Sequence, residues 1–407
     1  MLLETPAEIG PIIEGLRAFV RSEVVVRHEK HAERLADPRE LYTVQGLYSP
    51  WVLDLIREVR MSSAAAGYYT MFVPEAIGGA GLGNEVLYRV WEDLHHHFGL
   101  HYWLGTFAIA HWSKGPSHVL EHATPEVRAD VLPGLLSGED SMCFAMSEPD
   151  AGSDARRMRT RAELDGDDWI INGSKIWITN GPYAEHAVVF AVTDPVEARK
   201  RGGISAFLVP TDAPGFVTEP SIRMFGAAGG DEAVIHLDNV RVKPTKVLGT
   251  VGRGFDIALS GVRAGRVYNS ARAVGLARWA IERAVEYAGQ REAFGRPISA
   301  NQGVMFPLAE AAMEIRAAHL LGLDTAMMLD QGHRALKELS MAKAFSTEAA
   351  FRALDACMQT HGALGFTNEM GLAEAWHATR KARVADGTAE ILRRTISAQL
   401  LKGDLEL

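Results

Sequence analysis

"WIINGSKIWIT", residues 169–179, decides the fold. β-Branched and aromatic residues dominate it and turn residues bound it, which is the pattern of a strand. Immediately upstream, "DGDD" at 165–168 reads as a hairpin turn. Other short β-rich runs fill the chain from 141 to about 243: "SMCFAMSE", "RTRAEL", "HAVVFAVTD", "GISAFLVP" and "EAVIHLDNVRV". Strands this frequent, with no helices between them, predict an antiparallel barrel or sandwich rather than a doubly wound sheet.

The period changes on both sides of this block. Up to about residue 138 the chain reads as helices broken by Pro and Gly, as in "NEVLYRVWEDLHHHFG", where Val86, Val90, Leu94 and His97 recur at three- and four-residue steps. After "GTVGRGFD" at 249–256 the helical period returns and stays. "ARAVGLARWAIERAVEYAGQREAFG" keeps Val274, Ala277, Ile281, Val285 and Ala288 on one face, and two further long alanine-rich segments follow it. Their lengths suit close-packed, roughly antiparallel helices in a bundle. The plan is α, then β, then α, with no internal repeat and no low-complexity segment.

Composition narrows the function. The chain has 407 residues, 47% hydrophobic and 23% charged, enough for two or three domains with a large core. Its two cysteines, Cys143 and Cys357, form no CxxC pair and read as core thiols in a reducing compartment, with no structural zinc. A formal charge of −9 argues against a phosphate-tracking nucleic-acid surface. The N-terminus lacks a basic flank before an apolar run, and no stretch approaches 18 apolar residues, so neither a signal peptide nor a membrane span is expected and the predicted location is cytoplasmic.

The common catalytic signatures GxGxxG, GxxxxGK, HExxH and GxSxG are all missing. One SxxK, at Ser340 and Lys343, stands on an amphipathic helix without its usual companions and carries little weight. "HHH" at 95–97 places adjacent imidazoles in different directions around a helix, so no metal is expected there. "FAMSEPDAGSDA", residues 144–155, leaves a strand and offers Gly152, Ser153 and Asp154 in succession, either as a ligand cradle or as a capped turn. Trp177 and Thr179 share one strand face, as a flat ring ligand needs or as core packing allows. "RVADGTAEILRR", residues 383–394, carries Asp386 at a helix entry, where an acid is a common capping residue.

Five segments in order, "SEPDAGSD", "GSKIWITNG", "REAFGRPISANQ", "QTHGALGF" and "DGTAEI", closely resemble the acyl-CoA dehydrogenase family. The resemblance implies an α+β multidomain fold: a helical N-terminal domain over 1–139, a middle β domain over 140–247 and a C-terminal four-helix bundle over 248–407. It also implies FAD held between the middle domain and the bundle, an acyl-CoA substrate, an electron-transferring flavoprotein as acceptor, and a homotetramer or dimer, with no nucleic acid and no membrane. The matching cofactor positions are Phe144, Ala145, Met146, Ser147 and Ser153, then Trp177, Ile178 and Thr179. Ser147 stands where the family commonly has Thr. Arg291 and Gln302 match residues that reach the FAD of a neighbouring subunit. Gln359, Gly362 and Ala363, beside His361, match the segment along the dinucleotide backbone, with Ala363 replacing the usual Gly. Thr388 and Glu390 complete the cofactor set, and Ser153, Arg266, Asp386 and Gly387 match substrate contacts.

Family chemistry removes an α-proton while the β-hydrogen leaves as hydride to flavin N5, so a base and a flavin must enclose the Cα–Cβ bond. The thioester oxygen is held by the base residue's own N–H and a ribityl hydroxyl. Asp386 occupies the base position, where most members carry Glu. A carboxylate one methylene shorter is not neutral in an unchanged pocket, since a misplacement of ~1 Å can cost on the order of a hundredfold in rate. The second base position used in the isovaleryl-type branch is Gly265 here, and Arg266 matches a family arginine that orients the base or maintains packing. Capping and catalysis are compatible roles for Asp386. Trp103, Phe107 and Tyr268 are candidate acyl-pocket aromatics. Two other readings stand beside the dehydrogenase: an oxidase of the nitroalkane type, which also uses Asp as base, and a DNA-associated relative, for which "RKAR" at 380–383 is the best basic run.

Overall fold

Gly166 adopts φ 63° in the turn where Asp165 pairs with Asp168, and from this hairpin the sheet is built. The computed structural model describes residues 4–198, 200, 202–219 and 222–406. They divide into two units: one of Val20–Leu82 with Phe107–Gly261, the other of the N-terminal segment through Phe19 with Gly83–Thr106 and Val262 onward.

The first unit holds the sheet. Its strands are β1 Met142–Ala145, β2 Arg161–Asp165, β3 Asp168–Thr179, β4 His186–Val192, β5 Ile204–Pro210, β6 Phe216–Thr218, β7 Glu232–Val242 and β8 Val247–Leu248. They run in the order β6-β7-β3-β2-β4-β5-β8, with β1 attached to β4. Most pairs are antiparallel as expected, but β1 and β2 both lie parallel to β4, so the sheet is mixed. Among the described residues no pairing joins β6 to β8, and the sheet stays open.

β4 is buried on both faces, which explains its continuous apolar run. Val188, Phe190 and Val192 pack with Val127, Val131 and Leu135 of the Pro125–Ser137 helix. Ala187, Val189 and Ala191 face inward with Phe207 and Val209, against Trp169, Ile171, Ile235 and Leu237. The β3–β7 half thus folds over the β4–β5 half as in a sandwich. Cys143 is sealed in this core, and burial pushes its thiol up to about 12.

The second unit is helical. Gly254–Gln290, of which Val262 onward belongs to this unit, Gln302–Asp330 and Leu336–His361 are its long members, followed by Leu372–Ala382 and Ala389–Leu400. One cluster joins Ala273, Val274 and Ala277 to Ala311, Ile315 and Ala318 and to Ala349, Ala350 and Ala353. The next joins Leu276, Ala280 and Ala284 to Leu308 and to Leu354 and Cys357. Residue numbers rise along the first and third helices and fall along the second, so consecutive helices are antiparallel, and alanines at the contacts let the axes approach closely. Val274, Ala277 and Ala288 are buried as expected, whereas Val285 is 45% exposed. The i, i+4 row of Leu276, Ala280, Ala284 and Ala288 carries the contact past it. Among the described residues no helix is long and apolar enough to cross a membrane.

The small contact residues give the bundle a direct test. Ala350→Leu should lower stability by about 1–3 kcal/mol through overpacking, read by denaturant unfolding. An unchanged midpoint would mean that the helices are not in close contact at this point.

Candidate active site

In the sheet unit, two sequence motifs are locked together by one buried ion pair. Lys175, on β3, has no exposed side-chain surface, and its Nζ lies 2.7 Å from Glu148 Oε1 and 3.2 Å from the Met146 carbonyl. Glu148 also accepts from the backbone N–H of Arg159 at 2.5 Å and of Thr160 at 3.0 Å. Burial pulls the Lys175 ammonium down to about 8, against the opposing field of Glu148. Burial pushes the Glu148 carboxyl up, yet Lys175 and the hydrogen bonds outweigh it and hold the group below its usual range. The Ile176 N–H donates to the Ser147 carbonyl at 3.0 Å, so the start of the "SEPDAGSD" loop is stitched to β3 at Ser147 and Glu148.

β3 departs from a plain strand where it matters. Its register with β7 shifts between Ile176 and Ile178, leaving Trp177 as the extra residue of a bulge at φ 63°. The indole is 54% exposed, Ile178 is in the core and Thr179 is half-buried. Of the expected cofactor residues here, Phe144, Met146, Ser147, Ser153, Trp177 and Thr179 keep accessible surface. Phe144 packs against Trp112 and Phe190 with ring centroids at 4.8 and 4.7 Å, and Ala145 and Ile178 are buried. Ala145 and Ile178 can present backbone atoms to a ligand, while their side chains belong to the core and Phe144 stays half-buried at its edge.

In the helical unit, Asp386 sits in a turn that three side chains hold. Lys343, fully buried on the Leu336–His361 helix, donates to the Ala385 carbonyl at 2.8 Å and the Gly387 carbonyl at 2.7 Å. Arg266 donates from Nε to the Asp386 carbonyl at 3.0 Å. Asn269 donates from Nδ2 to Asp386 Oδ2 at 2.8 Å. The turn places Asp386 at φ 53° and Gly387 at φ 100°, and a Cβ on Gly387 would meet the Arg266 guanidinium at 3.1 Å. Burial raises the Asp386 carboxyl to about 6, with Lys343, Arg266 and Asn269 each opposing the rise. Burial lowers Lys343 to about 8, and it remains predominantly charged at neutral pH.

Asp386 is not the helix cap. Thr388 is the N-cap of Ala389–Leu400, its hydroxyl accepting from the Ile391 N–H at 3.3 Å. The Asp386 carboxylate turns instead toward Asn269, and among the described residues neither the Asp386 nor the Gly387 N–H has an acceptor. Ser340 bonds back to the Leu336 carbonyl while Lys343 is committed to the turn, so SxxK is not a nucleophile pair. His95 is buried and burial pulls it down to about 3, so it is neutral; among the described residues no His, Cys, Asp or Glu cluster could hold a metal. Of "RKAR", Arg383 lies 3.5 Å from Glu348. Tyr268 packs edge-on against Trp91 at 4.8 Å.

The other expected residues of this unit lie elsewhere. Arg291 follows the Gly254–Gln290 helix, Gln302 opens the next, and Gln359, Gly362 and Ala363 close the third, all at one end of the bundle and exposed. His361 is pinned there, stacked on Tyr287 at 4.6 Å and bonded to the Cys357 carbonyl. Arg266 and Gln290 are 24 residues apart on one helix, roughly 36 Å at 1.5 Å per residue. The Arg291 group and the Asp386 group, the latter with Thr388 and Glu390, are therefore two separate clusters within one chain.

The sheet unit thus presents an exposed indole on a strand bulge, and the helical unit a half-buried carboxylate just before a helix. Residues 52–139, 143–240 and 252–401 match the N-terminal, middle and C-terminal domains of acyl-CoA dehydrogenases. An acyl-CoA dehydrogenase of Bacillus subtilis is 37% identical over 81% of this chain and 86% of its own. The human mitochondrial short-chain specific acyl-CoA dehydrogenase is 35% identical over 83% of this chain and 80% of its own. A glutaryl-CoA dehydrogenase from Mycobacterium smegmatis, solved with FADH2, superposes at a TM-score of 0.81 with 26% identity, covering 98% of this chain and 96% of that one. The chain belongs to the acyl-CoA dehydrogenase family, and is an FAD-dependent oxidoreductase acting on CH–CH bonds.

The residues present fit that cofactor. The exposed Trp177 indole offers a flat apolar face, and the Arg291 guanidinium, without a partner among the described residues, suits a pyrophosphate. Three contributors escaped sequence reasoning. Asn269 was legible as the i+3 neighbour of Arg266, but Lys343 and the Lys175–Glu148 pair are brought together by tertiary packing alone.

Lys175→Met strips the buried Glu148 of its counter-charge and should destabilise the protein by about 3–5 kcal/mol while reducing flavin content. Unfolding curves and flavin absorbance of the purified variant check both, and wild-type values would remove the pair from the account.

Proposed function

We propose that the protein oxidises the Cα–Cβ bond of an acyl-CoA thioester, with Asp386 as the base that takes the α-proton. The carrying observation is that the Asp386 turn is held at both flanking carbonyls by Lys343 and at its own by Arg266, with the half-buried carboxyl pushed up to about 6 by burial. Bound FAD supplies the acceptor for the β-hydrogen. Asp386 Oδ2 is occupied by Asn269, which leaves Oδ1 for the proton. The free Asp386 N–H is available to the thioester oxygen, where negative charge develops as the proton leaves. The Lys343 and Arg266 cations stand behind it and keep the base ionised.

Arg291, Gln302, Gln359, Gly362 and Ala363 are assigned to the cofactor of a neighbouring copy. The roughly 36 Å of helix between Arg266 and Gln290 supports this for Arg291, which stands at the far end of that helix from the Asp386 cluster. A dimer or tetramer is then required for a complete site. Phe144, Met146, Ser147, Ser153, Trp177 and Thr179, with backbone of Ala145 and Ile178, are assigned to FAD contacts of the sheet unit, and Thr388 and Glu390 to FAD contacts of the helical unit. Reduced enzyme passes its electrons to an electron-transferring flavoprotein.

Anaerobic mixing of the flavin-loaded protein with linear, branched, cyclic and aryl acyl-CoA thioesters should bleach the flavin with at least one class. Asp386→Asn should retain FAD and slow bleaching by about 10²–10⁴-fold. Near-normal bleaching by the variant, or oxygen consumption on nitroalkanes without any response to CoA esters, would overturn the proposal. A base must be ionised to act, so the wild-type rate should rise with pH through about 6 and then level off. A flat profile between pH 5 and 7, on the order of a unit either side of that value, would contradict the assignment.

A further inference from the structure

We propose that Asn269 is the positioning residue that lets an aspartate serve at position 386, holding carboxylate Oδ2 so that Oδ1 faces the α-proton. The inference rests on the reading of Asp386 as the base. Gly265 and Arg266 precede Asn269 by four and three residues on the Gly254–Gln290 helix, so each neighbours Asn269 on the helix surface. Asn269 is 5% exposed, and both hydrogens of its amide nitrogen are used: one on the Gly265 carbonyl at 2.9 Å, one on Asp386 Oδ2 at 2.8 Å. Two acceptors on one side fix the amide orientation, because its oxygen would repel either. The carbonyl of its own helix anchors one N–H, and the planar NH2 then aims the other at a set point. An aspartate from the clamped turn ends at that point. A glutamate from the same turn would carry its carboxylate one methylene past it.

The bond also acts on charge. The groups facing Asp386 are Arg266 and Asn269 from one helix and Lys343 from another, with Arg263 acting on Arg266 and Glu390 on Lys343. Asn269 donates to the ionised form, so removing it must raise the carboxyl further.

The test replaces the amide by an apolar group of similar size, Asn269→Leu, in flavin-loaded protein. Infrared titration of the Asp386 carboxyl, with Asp386→Asn as the blank, needs no substrate. The expected result is an upward shift of about 0.5–1 unit. Flavin reduction by whichever acyl-CoA the wild type accepts should slow at least about tenfold, with its acid limb displaced the same way and flavin content unchanged. Asn269→Ala removes the same bond and serves should the leucine variant fail to fold. An unmoved titration in the soluble variants overturns the proposal even if the wild type oxidises acyl-CoA thioesters. If no thioester is oxidised, the proposed function falls while the titration still decides the Asn269–Asp386 bond.

Discussion

The Lys343 ammonium is buried, charged and bonded to two carbonyls that flank a single residue. Burying a cation is costly unless hydrogen bonds and opposite charge compensate it, and here the compensation is the turn itself together with the Asp386 carboxylate. The 385–387 turn, with two consecutive residues at positive φ, is not a conformation its sequence would hold unaided. Lys343 and Arg266 hold it, and the direction of the carboxylate and the release of the Asp386 N–H follow from that.

The sheet unit repeats the device with different chemistry. Lys175 is buried in the same way, and its ion pair with Glu148 fixes the loop after β1 against the bulged end of β3. In both units a lysine without solvent contact holds an irregular segment in a shape its neighbours then use. Irregular backbone is costly to hold in place, and a buried charge that must keep its partners is one way to hold it.

The architecture was legible because periodicity carries it. The short β-rich runs from 141 to about 243 became strands, and "DGDD" became the hairpin. The sheet's parallel pairs were not legible, since strand direction depends on how loops cross between β1 and β4 and leaves no local signature. Short strands such as β6 and β8 were missed for the same reason: two or three residues have no measurable period. At Asp386 the sequence offered a capping acid, but the cap is Thr388, because the clamped turn directs the acid to Asn269 instead. Lys343 had been visible only inside a fortuitous SxxK, and its partners lie more than 40 residues downstream.

Removal of an α-proton by the clamped Asp386 can be isolated from hydride transfer by proton exchange. An acyl-CoA whose β-carbon is replaced by sulfur keeps an acidic α-position and has no β-hydrogen to give up. Incubated with flavin-loaded protein in deuterated water, it should take up deuterium at Cα with the wild type and at least about a hundredfold more slowly with Asp386→Asn. Exchange at equal rates in the two proteins would contradict the account.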